Sequence, residues 1–278
     1  MIGSLQTGVS GLQQFQEDLQ VIGNNIANVN TVGYKSASMD FEDQLSQSLV
    51  NDSNPMQIGE GVTSGAINSD FSQGTTNTTG GPTDLAINGK GFFVVKDSSS
   101  GASYVSRDGE FNLDSNGYMI TANGLRVQGY TGSGTSTIGD LQINSAAAIT
   151  ALNDTTTPAP TLTTFSINAS GQINATLSDG TSGVIGQVVL QNFTNPLGLT
   201  KQGDNLYSYT AAAGPLATPA AANSGALGQI QAGALESSNV DLAGQMAGLI
   251  SAQRAFEANA KIITTSDEIL QDLVNLKR

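Results

Sequence analysis

The sequence predicts an α+β protein: long N- and C-terminal helices that pair as a coiled coil, with an antiparallel β-rich domain between them. At both ends, apolar residues recur at alternating spacings of three and four, which is the pattern of a helix covered by another helix. The middle of the chain alternates with a period of two between Asn-Gly and Asp-Gly pairs, which is typical of β-hairpins. With 33 glycines and only 5% aromatic residues, the composition favours strands with few large side chains, joined by many turns.

The first helix is expected over residues 3–28. Its apolar stripe, in which Gln16 and Gly23 complete the register, consists of Leu5, Val9, Leu12, Leu19 and Ile26. Interior glycines such as Gly8 and Gly11 each cost about 1 kcal/mol relative to alanine. The helix is therefore predicted to be marginal alone and ordered mainly by packing. An asparagine-rich stretch that ends at Gly33 is expected to stop it, because Asn and Gly favour turns.

The middle of the chain is expected to begin with a short amphipathic helical turn within residues 39–50, followed by a linker at 51–65. Strands should follow at 84–88, 92–96, 164–167, 172–177 and 186–193, with further short strands between 97 and 130. The sequence Asn88-Gly89-Lys90-Gly91 predicts a hairpin between the first two of these strands. The Ala/Gly/Pro-rich stretch 211–228 is expected to be a linker.

The last helix is expected from near Ser238 to about Lys277, because Ser238 and Asp241 have the spacing of a capping box. Its apolar stripe, completed by Gln253, Ala260 and Asp267, consists of Leu242, Met246, Leu249, Phe256, Ile263, Leu270 and Val274. Such a helix is roughly 60 Å long at 1.5 Å per residue. Helices of that length usually have a partner helix.

These patterns divide the chain into four parts. Residues 1–35 and 236–278 should form a terminal helical assembly domain, and 36–83 an extended linker. Residues 84–140 and 164–235 should form a β-rich outer domain, with 141–163 as a short insertion or loop.

The composition excludes several classes of function. The net charge is -13, and the ten basic residues are scattered until Lys277 and Arg278, so neither nucleic acid nor an anionic membrane surface is an expected partner. No run of 18 apolar residues predicts a membrane span. The chain has no Cys and no His, which removes thiol nucleophiles, imidazole bases and most transition-metal ligands. We therefore expect no catalytic residues, no cofactor and no metal.

Two local motifs are interpreted as turns. Asn88-Gly89-Lys90-Gly91 resembles a phosphate loop only faintly, because a phosphate loop joins a strand to a helix. Asn112, Asp114, Asn116 and Gly117 match part of a calcium loop, but the twelfth position is Asn123 where that loop needs a glutamate. Both motifs are more typical of Asx-rich β-turns.

The two ends also carry a family resemblance. The stretch SGLQQFQEDLQVIGNNIANVNTVGYK (10–35) resembles the shared N-terminal motif of bacterial flagellar rod and hook proteins, and residues 234–278 resemble their C-terminal motif. Residues 70–95, 104–130 and 186–210 are similar to the β-rich segments of that family. The Asn-Asn-Ile-Ala-Asn block and the Ser-Asn-Val-Asp-Leu block are together highly specific.

The resemblance implies a structural subunit of an extracytoplasmic helical polymer, located in the hook–basal body. It implies export through the type III apparatus without a cleaved signal peptide. The implied partners are further copies of the chain, adjacent rod and hook–filament junction proteins, and a hook cap. Residues 263–278 and 126–130 are more similar to the hook member, a flexible coupling that transmits motor torque. The chain is short for a hook protein, so the distal rod member, a drive-shaft subunit, is the alternative.

Two other classes are alternatives. A surface adhesin would carry one continuous helical stalk and a signal peptide, and residues 1–30 lack the features of a signal peptide. A polysaccharide-acting enzyme would need paired acidic groups across a cleft. If the polymer interpretation is correct, other subunits bury at least half of the apolar stripe on the terminal helices.

Overall fold

The computed structural model describes residues 2–44, 47–51, 54–132, 137–143, 161–214 and 218–276; side chains are not described for Ile2, 47–51 and 54–58. Most of the expected insertion 141–163 therefore lies outside the described residues. The chain divides into two compact units. The helical unit contains Met1–Val29, Lys35–Asp70 and Val240–Arg278, and the β unit contains Asn30–Tyr34 and Phe71–Asn239. The α+β class predicted from the sequence is confirmed.

Two helices, one at each end of the chain, form the helical unit with a β-arm. Helix α1 (Ile2–Ala27) has 26 residues and α2 (Leu242–Leu276) has 35, so α2 is roughly 52 Å long. They run antiparallel: Gly8 lies against Ile263, and Asn25 donates a hydrogen bond to Gln245. In the part of the chain that is described, neither helix is long and apolar enough to cross a membrane.

The start of α2 differs from the expected one. Asp241, and not Ser238, caps the helix, because its Oδ1 accepts a hydrogen bond from the Ala243 N–H at 3.1 Å. The capping residue thus lies three positions later than the sequence pattern suggested.

The β-arm of the helical unit replaces the helical turn expected within residues 39–50. Its strands are β1 (Ala37–Asp43), β2 (Gln47–Asn51), β3 (Asn54–Ile58) and β4 (Val62–Ser69). β1 pairs antiparallel with β4, and β2 with β3. The prediction of helix was wrong because β1 pairs with β4, whose partner residues lie 19 to 32 positions further along the chain, and local periodicity cannot detect such a partner.

The β unit contains the remaining strands. They are β5 (Thr76–Thr78), β6 (Leu85–Asn88), β7 (Phe92–Lys96), β8 (Ser103–Ser106), β9 (Phe111–Leu113), β10 (Met119–Thr121), β11 (Arg126–Thr131), β12 (Ile138–Asp140), β13 (Leu162–Ile167), β14 (Gln172–Leu177), β15 (Ser182–Gln191), β16 (Leu199–Gly203), β17 (Leu206–Tyr209), β18 (Ala220–Ala221), β19 (Gln229–Ala232) and β20 (Ala234–Glu236). Short 3-10 turns lie at Pro196–Gly198 and Ala211–Ala213. The main sheet has the order β13-β14-β15-β11-β7-β8-β17-β16, and its pairings within the described residues are antiparallel.

Strand β7 supplies side chains to both cores of this unit. Phe93 and Val95 belong to one buried cluster, and Phe92 and Val94 belong to the other. Successive side chains of a strand point to opposite faces, so a strand buried on both faces is apolar throughout. This is the physical reason for the unbroken run Phe92-Phe93-Val94-Val95.

The hairpin expected around Asn88-Gly89-Lys90-Gly91 does not form. β6 pairs with β19, and β7 pairs with β8, β11 and β15. The Asn-Gly pair correctly predicts a turn. The strands on either side of this turn, however, do not pair with each other, because each pairs with other strands of the unit. By contrast, the turns at Asn116-Gly117 and Ser170-Gly171 do connect paired strands, β9 with β10 and β13 with β14.

A buried ion pair fastens the last strand of this unit. Arg107 Nη1 lies 3.2 Å from Glu236 Oε2, and the two side chains are 4% and 0% exposed. Glu236 Oε1 also accepts a hydrogen bond from the Gly74 N–H, and Arg107 Nη2 donates to the Gly89 carbonyl. Burial lowers the pKa of Arg107, and Glu236 opposes that shift. The pair joins segments that lie far apart in the sequence.

We expect Glu236→Ala to lower the free energy of unfolding of the β unit by about 3–5 kcal/mol, because it leaves the Arg107 charge buried without a partner. Urea unfolding followed by the circular dichroism of the strands measures the change. Glu110→Ala removes an exposed carboxylate from the same unit and should change stability by less than about 0.5 kcal/mol. Equal stability of the two variants would contradict this role for the pair.

Candidate functional site

The terminal helices meet along a seam of small and polar residues. On α1 the seam includes Gly8, Gly11 and Ile22. On α2 it includes Gly248 and Asn259. A Cβ atom built on Gly11 would lie 2.7 Å from Asn259 Nδ2, and one built on Gly8 would lie 3.2 Å from Ile263 Cγ1. The glycines that weaken α1 as a helix thus allow α2 to approach closely.

Asn25 fixes the register of this seam. Its side chain is 1% exposed, and its Nδ2 donates to the Ala37 carbonyl at 2.7 Å and to Gln245 Oε1 at 3.0 Å. Its Oδ1 accepts from the Ala37 N–H at 2.9 Å. One side chain therefore holds α1, the start of β1 and α2 together. From the sequence alone, Asn25 is expected only to help end the helix, because nothing local identifies its partners.

The seam lies one residue before the predicted apolar stripe on both helices. Gly8, Gly11, Ile22 and Asn25 of α1 precede Val9, Leu12, Gly23 and Ile26, and on α2 Gln245, Gly248, Ala252 and Asn259 precede Met246, Leu249, Gln253 and Ala260. One residue turns a helix by about 100°. Because the helices run antiparallel, this step turns both of them toward the same side of the pair. The two predicted stripes therefore form one surface, which we call the apolar face.

All twelve side chains predicted for assembly remain accessible on this face. Eight are half-buried: Leu5, Leu12, Leu19, Ile26, Leu249, Phe256, Ile263 and Leu270. Four are exposed by 44–70%: Val9, Leu242, Met246 and Val274. The α1–α2 contact thus leaves each of them partly open to solvent. Contiguous exposed apolar patches are characteristic of interaction sites.

The β-arm lies on the opposite side of the helix pair. The Val62 N–H donates to Ser10 Oγ, and the Phe15 and Phe41 ring centroids are 5.6 Å apart. Ser10 precedes the seam residue Gly11, so the arm covers the side that faces away from the apolar face. The outer surface of α2 includes charged residues, among them Arg254 and Glu257, which form an exposed pair at 3.1 Å. Among the side chains of the apolar face, only Asp267 is charged.

Helix α2 extends beyond the start of α1. Because Gly8 lies against Ile263 and Asn25 bonds Gln245, the same register places Ile2 opposite Glu268. Among the described residues, no α1 residue therefore lies beside 269–276 of α2, and we call 269–276 the overhang. Ile269, Leu273 and Leu276 of the overhang are 52%, 48% and 82% exposed.

The two motifs that partly resemble a phosphate loop and a calcium loop form internal turns. The Gly89 N–H donates to Gln73 Oε1, and the Gly89 carbonyl accepts from Arg107. Asp114 accepts hydrogen bonds from Ser115 and Asn116 of its own turn, and these bonds lower the pKa of its carboxyl. Both sets of polar groups are used to close turns.

Three family models match the chain. They are "Flagella basal body rod protein" over residues 5–35, "Flagellar hook protein FlgE/F/G D1 domain" over 86–175, and "Flagellar basal body rod FlgEFG protein C-terminal" over 231–276. The first and third coincide with the two helices that carry the apolar face.

Whole-chain relatives agree with these matches. The flagellar basal-body rod protein FlgG of Bacillus subtilis is 39% identical, covering 100% of both chains. FlgG of Caulobacter vibrioides is 35% identical over 99% of both chains. The flagellar hook protein FlgE of Salmonella typhimurium is 27% identical over 99% of this chain and 100% of that protein. The chain belongs to the bacterial flagellar rod and hook protein family, whose members are structural proteins of the flagellum and not enzymes.

Proposed function

We propose that this chain is a subunit of the flagellar distal rod, a drive shaft built from many copies of the chain. The observation that carries the polymer is the apolar face, which two helices build together and which the α1–α2 contact leaves open. Burying one Leu, Ile or Phe side chain stabilises by about 1.5–3 kcal/mol. Four of the twelve side chains are exposed and eight are already partly buried, so association would bury the area that each of them still exposes. Contacts between identical subunits that do not close into a ring generate a helical filament.

Sequence similarity favours the rod over the hook. The hook was expected from short stretches of the sequence at 126–130 and 263–278. The rod relative FlgG aligns over 287 residues, close to the 278 of this chain. The hook relative FlgE aligns over 412, so much of that alignment has no residue of this chain opposite it. An alignment over the full length of the chain supports the rod more broadly than two short segments support the hook.

We also propose that the helices pair as a coiled coil and that the chain is exported through the flagellar type III apparatus. The three-and-four spacing of the apolar residues supports the first proposal. Marginal helices support the second, because α1 contains interior glycines that weaken it before packing. Ordering would then accompany assembly, as it does for segments that fold on binding.

Immunogold electron microscopy of hook–basal bodies from the source bacterium should place this chain on the straight rod. Deletion of its gene should leave an incomplete rod and no external hook. Gold on the curved hook, or a complete rod in the deletion strain, would contradict the rod proposal and favour the hook.

Deleting residues 1–28 or 250–278 should leave a folded, soluble β unit that forms no polymer. The two buried clusters of that unit draw all their members from residues between Leu85 and Ile230, so neither deletion removes a core side chain. Circular dichroism checks the strands, and sedimentation with electron microscopy checks the polymer. Normal filaments from either truncated chain would refute the role of the helices.

Phe256→Asp should reduce polymer yield by at least about tenfold, because an unpaired carboxylate would be buried at the interface. The strand signal in circular dichroism should persist. Thr264→Asp is the matched control, since Thr264 is exposed on the charged outer surface of the same helix. If Phe256→Asp abolishes the strand signal, or if both variants assemble equally, the apolar face is not the assembly surface.

A further inference from the structure

Asparagine is followed directly by glycine at three places in the chain, and these are Asn88-Gly89, Asn116-Gly117 and Asn123-Gly124. In such a pair the backbone nitrogen of the glycine can attack the side-chain amide carbon of the asparagine, because glycine has no Cβ to block the approach. The reaction requires an asparagine side chain that is free to turn and a glycine N–H that can be released. The three pairs are alike in sequence, so only the structure ranks them.

Gln73 holds both reacting groups of the first pair. Its Oε1 accepts a hydrogen bond from the Gly89 N–H at 2.9 Å, and its Nε2 donates to Asn88 Oδ1 at 3.4 Å. Asn88 is also the last residue of β6 and lies opposite Gln229 of β19. Neither reacting group is therefore free to move toward the other.

Asn116 is held at both its side chain and its backbone. Its Nδ2 donates to Asp114 Oδ2 at 3.3 Å, and its carbonyl accepts a hydrogen bond from Gln142 Nε2 at 2.8 Å. Gly117 is buried, and its N–H donates to the Asp114 carbonyl at 2.8 Å. The second pair is therefore restrained as well.

Asn123 has much more freedom. Both Asn123 and Gly124 are exposed, and the Asn123 side chain makes no hydrogen bond within the described part of the chain. The Gly124 N–H makes one bond, to the Thr121 carbonyl at 2.9 Å. A Cβ atom built on Gly124 would meet no atom within 4 Å beyond its chain neighbours, so the space beside this backbone is open. The Asn123 amide can thus turn toward the Gly124 nitrogen without breaking a side-chain hydrogen bond.

We propose that Asn123 is a site of spontaneous deamidation in the folded protein. The Gly124 nitrogen loses its proton and forms a bond to Asn123 Cγ, the Cγ–Nδ2 bond breaks, and ammonia leaves with that proton. Water then opens the resulting succinimide ring. Opening at Cγ gives aspartate, whereas opening at the backbone carbonyl carbon gives isoaspartate, in which the main chain runs through the side chain. No group is oxidised or reduced, and water is the only co-reactant.

The product alters one turn of the β unit. One neutral amide becomes a carboxylate, so the net charge changes from -13 to -14. Isoaspartate also lengthens the main chain of the β10–β11 turn, in which the Thr121 N–H donates to the Leu125 carbonyl at 2.9 Å. Neither buried cluster contains a residue of 121–124, so the core keeps its side chains. The inference concerns the β unit alone and does not depend on the proposed polymer function.

Wild-type protein incubated in mildly alkaline buffer tests the site by tryptic digestion and tandem mass spectrometry. Residues 108–126 form one tryptic peptide that contains both Asn116 and Asn123, so these two sites are measured in the same fragment. Asn123 should deamidate at least about tenfold faster than Asn116 or Asn88, because hydrogen bonds that must break first slow the reaction at those two sites. Equal rates at the three sites in the folded protein, or a faster rate at Asn116 or Asn88, would overturn the inference.

Unfolding identifies the structural cause of the selectivity. In concentrated urea the three rates should become similar, since each site is then an Asn-Gly pair in an open chain. A preference for Asn123 that persists unchanged in urea would assign the selectivity to local sequence and refute the role of the fold.

Two variants complete the test. Gln73→Ala should raise the Asn88 rate by about tenfold, since both reacting groups lose a partner, with circular dichroism verifying that the strands are retained. An unchanged Asn88 rate in the folded variant would refute the protection. Asn123→Gln is the matched control: its longer side chain cannot close the five-membered ring, so the fast site should disappear while the Asn116 rate stays the same. A fast signal that survives in Asn123→Gln would place the reaction elsewhere and overturn the assignment.

Discussion

An apolar stripe on a helix must be covered, and this constraint governs the helical unit. The subunit covers only the seam, where Gly8 and Gly11 bring α1 close to Ile263 and Asn259 of α2. The large side chains one residue further along both helices stay half-buried or exposed. The contact inside the subunit is thus made mainly by small and polar residues together with Ile22 and Ile263, and most of the large apolar side chains stay partly accessible. In the proposed polymer, further copies would cover these side chains and add to the stability of the helix pair.

Asn25 makes that arrangement specific. A purely apolar seam tolerates sliding of one helix along the other, whereas a buried amide with three hydrogen bonds accepts one register. The same side chain binds both backbone groups of Ala37, so the register of the helices and the start of the β-arm are set together. The side on which the apolar stripes lie follows from this register. Losing one buried partner here leaves the other polar groups unsatisfied, at about 1–3 kcal/mol each.

The β unit is stabilised by different means. Two apolar clusters lie on either side of strand β7, and the Arg107–Glu236 pair fastens β20 to the turn after β6 and to the segment before β5. The strands and core residues of the β unit come from distant parts of the sequence, so this unit requires long-range pairing. The polar Ser, Thr and Asn surface that results carries few charges.

The sequence alone determined the class of fold, both terminal helices, most strand positions and the membership of the family, because these depend on local periodicity and on specific motifs. β7 and β14 have the predicted bounds, since apolar alternation and flanking glycines are local signals. Tertiary structure decided the partners: β6 with β19, β1 with β4, and the buried seam shifted by one residue from the apolar stripe. The apolar stripe could be found from its period, but Asn25 could not be assigned a role. The role of a polar residue depends on the residues that pack against it. Gln245, which accepts a hydrogen bond from Asn25, lies more than 200 residues away in the sequence.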